Sequence, residues 1–133
     1  MEGHVISHLI SILKTPSGKT GKGAYFEKKA MQFLARQGMK NFSCNYHCRF
    51  GEIDLVAHDG DVLVFIEVRY REKFNYGSAL ASVTVTKQKK IRQTAKHFLQ
   101  KHGLGNKMPC RFDVIGITRY DGKLNYQWIK NAF

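Results

Sequence analysis

The spacing of apolar residues changes period several times along the chain. From about Gly21 to Gln37, Phe26, Ala30, Phe33 and Leu34 recur at three- and four-residue intervals. That is the stripe of an amphipathic helix, and Gly38 stands where such a helix would end. Between Asn41 and Phe50 the period drops to two, with Phe42, Cys44, Tyr46, Cys48 and Phe50 on one face of a predicted strand. The stretch Gly51 to Arg69 reads as two more strands, with Asp59-Gly60 between two apolar runs. Such a dipeptide supplies the positive φ of a tight hairpin turn. Lys73 to Val85, which contains Asn75-Tyr76-Gly77-Ser78, reads as a loop or short-turn region. A second helical period runs from about Thr86 to His102, with Ile91, Ala95, Phe98 and Leu99 inward and Gly103 at its end. Cys110 to Thr118 is a further strand, Tyr120-Asp121-Gly122-Lys123 a turn, and Leu124 to Ile129 a last strand at an edge.

The order is helix, three strands, helix, then one or two strands. A helical crossover allows parallel pairing, so the expected fold is α/β with a mixed sheet flanked by helices. At 133 residues the chain is long enough for one domain with a proper core, placed here at 21–133. Residues 1–20 read as an extension. Val5, Ile6, Leu9, Ile10 and Leu13 could share a helical face before Thr15-Pro16-Ser17-Gly18 breaks the pattern. A disordered tail and a helix docked on a partner both fit. The apolar run Val5 to Leu13 is too short to cross a bilayer, and it lacks the features of a signal peptide.

The hairpin is unusual because of its charges. Strand alternation puts Leu63, Phe65, Glu67, Arg69 and Arg71 on one side and Val62, Val64, Ile66, Val68 and Tyr70 on the other. In the preceding strand Glu52 and Asp54 lie together, opposed by Ile53, Leu55 and Ala57. Ionised side chains are rarely buried without partners, so this hairpin calls for a wet face or a metal site. Pairing across the turn can bring Asp54 near Glu67, two hard oxygen ligands suited to Mg²⁺ or Mn²⁺. Glu27, beside the stripe of the first helix, is either an acid favoured by the helix dipole or a third acid aimed at the hairpin.

Net charge adds a partner class. Lys and Arg total 22 against 10 Asp and Glu, a balance of +12 that points to an anionic partner, most simply nucleic acid. No acid lies between Glu72 and Asp113. Lys87 falls on the apolar line of the second helix, four residues before Ile91, whereas Lys89, Lys90, Arg92 and Lys96 fall on its exposed surface. Such a one-sign field can track a phosphate backbone in a salt-dependent way. The odd count of three cysteines, Cys44, Cys48 and Cys110, implies reduced thiols and a cytoplasmic setting. Cys44, His47 and Cys48 cluster, but strand packing accounts for them better than zinc. Gly18-Lys19-Thr20 resembles the end of a phosphate-binding loop but lacks the earlier glycine.

An Asp followed by a strand carrying Glu-x-basic, in an αβββαβ order, resembles the PD-(D/E)xK nuclease superfamily with its restriction-endonuclease-like fold. Gly51-Glu52-Ile53-Asp54-Leu55-Val56, Phe65-Ile66-Glu67-Val68-Arg69-Tyr70-Arg71, Arg111-Phe112-Asp113-Val114 and Trp128-Ile129-Lys130-Asn131-Ala132-Phe133 resemble one family within it, the YraN-like bacterial proteins. Glu27, Ala30, Leu34 and Gly38 fit that family's first helix and Lys87 its second, so the resemblance spans roughly Gly21 to Phe133. It implies a metal-dependent phosphodiesterase acting on DNA, including branched or repair intermediates. Asp54 and Glu67 would then be metal ligands, with Glu27 matching the helix acid of archaeal Holliday-junction resolvases. Arg69 stands at the superfamily's lysine position, a departure, because arginine cannot give up its proton to orient a water. Arg69 could still neutralise a phosphate, and Lys87 could stand in for the missing lysine. Arg71, Lys89, Lys90, Arg92 and Lys96 would contact nucleic acid. A non-catalytic nucleic-acid binder with a degenerate site, and an assembly protein whose basic face meets an acidic partner, are the competing readings. A homodimer remains open.

Overall fold

Residues 21–72 and 79–133 are described by a computed structural model of the chain. The N-terminal extension and the Asn75-Tyr76-Gly77-Ser78 loop expected from the sequence lie outside the described residues. Lys22–Arg36 forms the first helix, α1, which buries Phe26, Glu27, Ala30, Met31 and Leu34. Its end is set by Gly38 at φ 100°. There the Gly38 N–H donates to the Ala35 carbonyl and the Met39 N–H to the Leu34 carbonyl, each at 3.1 Å. Met39 and Leu34 are both buried in one core, which supplies the apolar contact that accompanies this type of cap.

Five strands follow in one sheet: β1 Lys40–Cys48, β2 Gly51–Asp59, β3 Val62–Arg71, β4 Cys110–Tyr120 and β5 Lys123–Ile129. Their spatial order is the chain order, β1-β2-β3-β4-β5. The second helix, α2 (Val85–Lys101), lies between β3 and β4 in sequence, preceded by a 3₁₀ turn at Leu80–Ser82. It is the crossover that makes β3 and β4 parallel, whereas every other neighbouring pair is antiparallel. This is the mixed αβββαβ sheet expected, with element ends moved by one or two residues.

The sheet separates two cores. Leu55, Ala57, Val64, Ile66, Ile115 and Ile117 pack with α1, and Ile53, Val56, Leu63, Phe65 and Val114 pack with α2. Strand β3 keeps the expected alternation, sending Val64 and Ile66 to one core and Leu63 and Phe65 to the other. β1 and β2 do not. Phe42 and Cys44 lie in the α1 core but Tyr46 packs in the α2 core, and Ile53 likewise departs from Leu55 and Ala57. The cause on β1 is backbone conformation. Asn45 takes φ 53°, a left-handed state that asparagine tolerates better than most residues, and the strand changes face there.

The hairpin turn also differs from expectation by one residue. Asp59 pairs with Val62, so Gly60 and Asp61 are the central residues and Gly60 supplies the positive φ. Asp121 and Gly122, both at positive φ, turn β4 into β5. The C-terminal segment is tied back to the sheet through Asp113, which is fully buried. Its carboxylate accepts from Arg111 Nε at 3.0 Å, Trp128 Nε1 at 2.9 Å and the Asn131 N–H at 2.9 Å. Arg111 also reaches Asp59 at 2.7 Å, so one guanidinium links the hairpin end to β4.

Candidate active site

The β2–β3 ladder runs from Asp59–Val62 to Leu55–Ile66, one pair short of Asp54 and Glu67. Beyond that point β2 stays with β1 as far as Gly51, and β3 stays with β4 through Arg71. The sheet therefore forks where the two acids stand. The Val68 N–H donates to Asp54 Oδ2 at 2.8 Å, so a side chain takes over where the ladder leaves off. This holds the Asp54 carboxylate in one orientation inside the fork.

Asp54 and Glu67 are each about 95% withdrawn from solvent, with 4% and 5% exposure. The expected wet face is thus closed at this point, and the two acids meet inside it. Burial raises the Glu67 carboxyl from its ordinary value to about 9; the hydrogen bond and negative charge of Asp54 add to the rise, while Lys87 and Arg69 oppose it. Burial beside a second carboxyl therefore favours the protonated form of Glu67. Glu67 Oε2 is buried and carries no hydrogen bond; Lys87 Nζ faces it at 3.6 Å.

Lys87 reaches the fork because of how α2 begins. Thr84 is the N-cap, its Oγ1 accepting the Lys87 N–H at 3.1 Å, and the first turn then directs Lys87 toward β3. Arg69 lies two residues beyond Glu67, and its guanidinium is held by Ser82. Nε donates to Ser82 Oγ at 3.0 Å and Nη2 to the Ser82 carbonyl at 3.2 Å. Ser82 in turn donates to the Ala79 carbonyl. Arg69 therefore straps the 3₁₀ turn to β3 just ahead of the helix that carries Lys87. Ser82 and Thr84 are not marked by the apolar pattern, which begins the helix at Thr86. A threonine ahead of an apolar-periodic run is a helix-start signal and could have located the cap. Nothing local marks Ser82, because its partner is 13 residues away.

Glu27 is buried in α1, and its charge falls on Cys44, whose thiol is raised to about 11, first by burial and then by that charge. Among the described residues no three His, Cys, Asp or Glu side chains gather as a metal-binding group, so Glu27 does not complete a set with Asp54 and Glu67. His47 pairs instead with Glu52 at 3.3 Å, and the three cysteines are unbridged. The α2 cations spread around the helix. Lys89, Lys90, Arg92 and Lys96 are all exposed, with Arg92 stacked over Phe112 and Phe133 at 5.4 Å from each ring and Lys90 beside Gly51. Arg71, also exposed, donates to the Tyr70 carbonyl at the end of β3.

The donor set fits a hard divalent cation. Glu67 Oε2 is a buried carboxylate oxygen without a hydrogen bond, next to a second carboxylate, in a place where both would ionise once a cation entered. Mg²⁺ commonly uses one or two carboxylates, with water and phosphate oxygens completing its shell. Two carboxylates are therefore sufficient for such an ion and too few for a structural zinc site.

A mixed α/β domain with a carboxylate pair at a sheet fork is the class of protein these elements define. Residues 26–117 match the model of a family described as uncharacterised protein family UPF0102. A UPF0102 protein of Nitrosococcus oceani is 45% identical over 118 residues, covering 89% of this chain and 95% of that protein. One from Legionella pneumophila is 47% identical over 113 residues, 84% of this chain and 93% of the relative. Another from Psychromonas ingrahamii is 49% identical over 113 residues, 84% of this chain and 88% of the relative. The chain belongs to the UPF0102 family, the YraN-like group that its motifs resemble. No described helix is long and apolar enough to cross a membrane.

Proposed function

We propose that this protein is a Mg²⁺- or Mn²⁺-dependent phosphodiesterase acting on DNA. The observation that carries the reading is the buried Asp54–Glu67 pair at the fork, with Lys87 Nζ 3.6 Å from Glu67. Asp54 and Glu67 would hold the cation, whose Lewis acidity toward a phosphodiester is the chemistry it supplies. Lys87 would neutralise charge on the phosphate and, unlike an arginine, can orient a water through a lone pair when deprotonated. Arg69 fixes the approach to α2 and so sets where Lys87 stands. The exposed cations of α2, with Arg71 at the end of β3, would hold the strand by its phosphates.

Cleavage of branched, single-stranded and duplex DNA, with Mg²⁺ or Mn²⁺, tests the reading. Asp54→Ala and Glu67→Ala are expected to abolish cleavage while leaving salt-dependent binding. Cleavage that survives both substitutions would remove the assigned site. One observation favours a second reading: the residue at the usual lysine position is Arg69, and its guanidinium is taken up by Ser82. A non-catalytic nucleic-acid binder would bind DNA in the same way, cleave nothing, and ignore divalent metal.

A further inference from the structure

The face of β3 that carries Glu67 and Arg69 continues across the sheet. Arg69 pairs with Gly116 and Arg71 with Thr118; these in turn pair with Gln127 and Asn125 of β5. Directly paired residues share a face, so the six form one surface that starts beside the acids. Among the described residues, α2 packs chiefly over β2 and β1 rather than over this end of the sheet. A pocket of about 430 Å³ occupies it, lined by Glu72, Gly116, Thr118, Tyr120, Asn125 and Gln127 among others.

Its uncharged lining has the chemistry of base recognition, with Arg71 and Arg119 beside it to meet the backbone. Gly116 contributes no side chain, which keeps the floor low. Asn125 and Gln127 are exposed, and each amide offers donors and an acceptor. The Gln127 oxygen faces the Ala79 N–H at 3.4 Å, so its NH₂ group remains to donate. Tyr120, a pocket-lining ring, is 77% exposed, a large aromatic surface without a core to pack into. Glu72 and Arg119 both line it, so a carboxylate and a guanidinium stand together at its rim and offset one another. Stacking rings with amide side chains are the means by which proteins hold unpaired bases.

We propose that this pocket receives an unpaired nucleobase from the strand whose phosphate lies at Asp54 and Glu67. The proposal rests on the nucleic-acid reading of the fork and adds a preference for single-stranded or frayed substrates. The spacing suits it. Gly116 lies two residues beyond the Glu67 pairing position and one strand over, about 8 Å away at about 3.3 Å per residue and about 4.8 Å between strands. That corresponds to roughly two to three nucleotides of stacked strand at about 3.4 Å each.

The test is fluorescence anisotropy in EDTA, where no cleavage intervenes, with a dye-labelled mixed-sequence single strand and the blunt duplex made from it. The variants are Tyr120→Ala, Tyr120→Phe and Asn125→Ala/Gln127→Ala, all at exposed positions. Tyr120→Ala is expected to weaken single-strand binding roughly five-fold or more, the lower range for losing one stacked base. Tyr120→Phe should restore it, the double amide variant should weaken it, and duplex binding should be unchanged. Single-strand affinity equal to wild type in Tyr120→Ala and the double variant, with duplex bound normally, overturns the pocket alone. Failure of the wild-type protein to bind either DNA at low salt overturns the pocket together with the nucleic-acid reading beneath it.

Discussion

Replacing Glu67 with Gln isolates the energetic consequence of burying two carboxyls together. The folded-state carboxyl stands at about 9 against an ordinary value of 4.5, so the fold prefers Glu67 protonated. Stability from the neutral form is fully present below about pH 4.5 and is lost as pH rises toward 9. Within that window the loss approaches about 1.4 kcal/mol per pH unit, so going from pH 6 to pH 8 costs the wild-type protein about 2–3 kcal/mol. Gln keeps the shape of the protonated acid, can donate to Asp54, and does not titrate. The two proteins should have similar stability near pH 5 and separate as pH rises, with the Glu67→Gln variant the more stable. Urea unfolding in EDTA reads the difference directly, since about 2–3 kcal/mol moves a midpoint by on the order of 1 M. Titrating groups that do not interact with Glu67 are common to both proteins and cancel in the difference. Curves that run parallel from about pH 5.5 to 8.5 would refute the raised Glu67 carboxyl. Adding Mn²⁺ should then stabilise the wild type more as pH rises, because the cation binds the ionised pair.

Lys87→Met removes a charge that favours ionised Glu67, so the pH at which Mn²⁺ binds, followed by calorimetry, should move upward. Asp113→Ala leaves Trp128 Nε1 and the Asn131 N–H without their acceptor and Arg111 short of one partner. A loss of about 3–5 kcal/mol is expected in thermal or urea unfolding. Lys89→Ala and Lys96→Ala, at exposed positions of α2, should each reduce the slope of log affinity for DNA against log salt by about 1, and weaken all sequences alike.

Elements governed by local chemistry were legible in the sequence. Gly38 and Gly103 mark both helix ends because the left-handed state they adopt, φ 100° and 67°, is open to glycine without steric cost. The pair Asp54 and Glu67 could be proposed from strand alternation and a turn. Its register was harder. With Asp59 and Gly60 as the central residues Asp54 would face Phe65, whereas Gly60 and Asp61 put it level with Glu67. The face change at Asn45 was not legible, since a single left-handed residue inverts a strand without altering its composition. Nor was the role of Arg69, whose bond to Ser82 depends on how the chain returns from β3 to α2. Asp113 shows the same limit over longer range. Its motif could be quoted, but the Trp128 and Asn131 donors come together only once β5 has paired with β4.

Among the described residues the linear strand order leaves two sheet edges unpaired, and they are not equivalent. β1 is interrupted by left-handed Asn41 and Asn45 and by a register shift between Lys40 and Ser43. Such irregularity keeps a foreign strand from matching its hydrogen-bonding groups. β5 has no positive-φ residue between Lys123 and Ile129, and it pairs without a break along one side only. Lys123 and Lys130 flank it, a common safeguard against edge-to-edge growth. If two copies of this chain ever shared a continuous sheet, β5 would be the seam, and a proline at Asn125 or Gln127 would separate them.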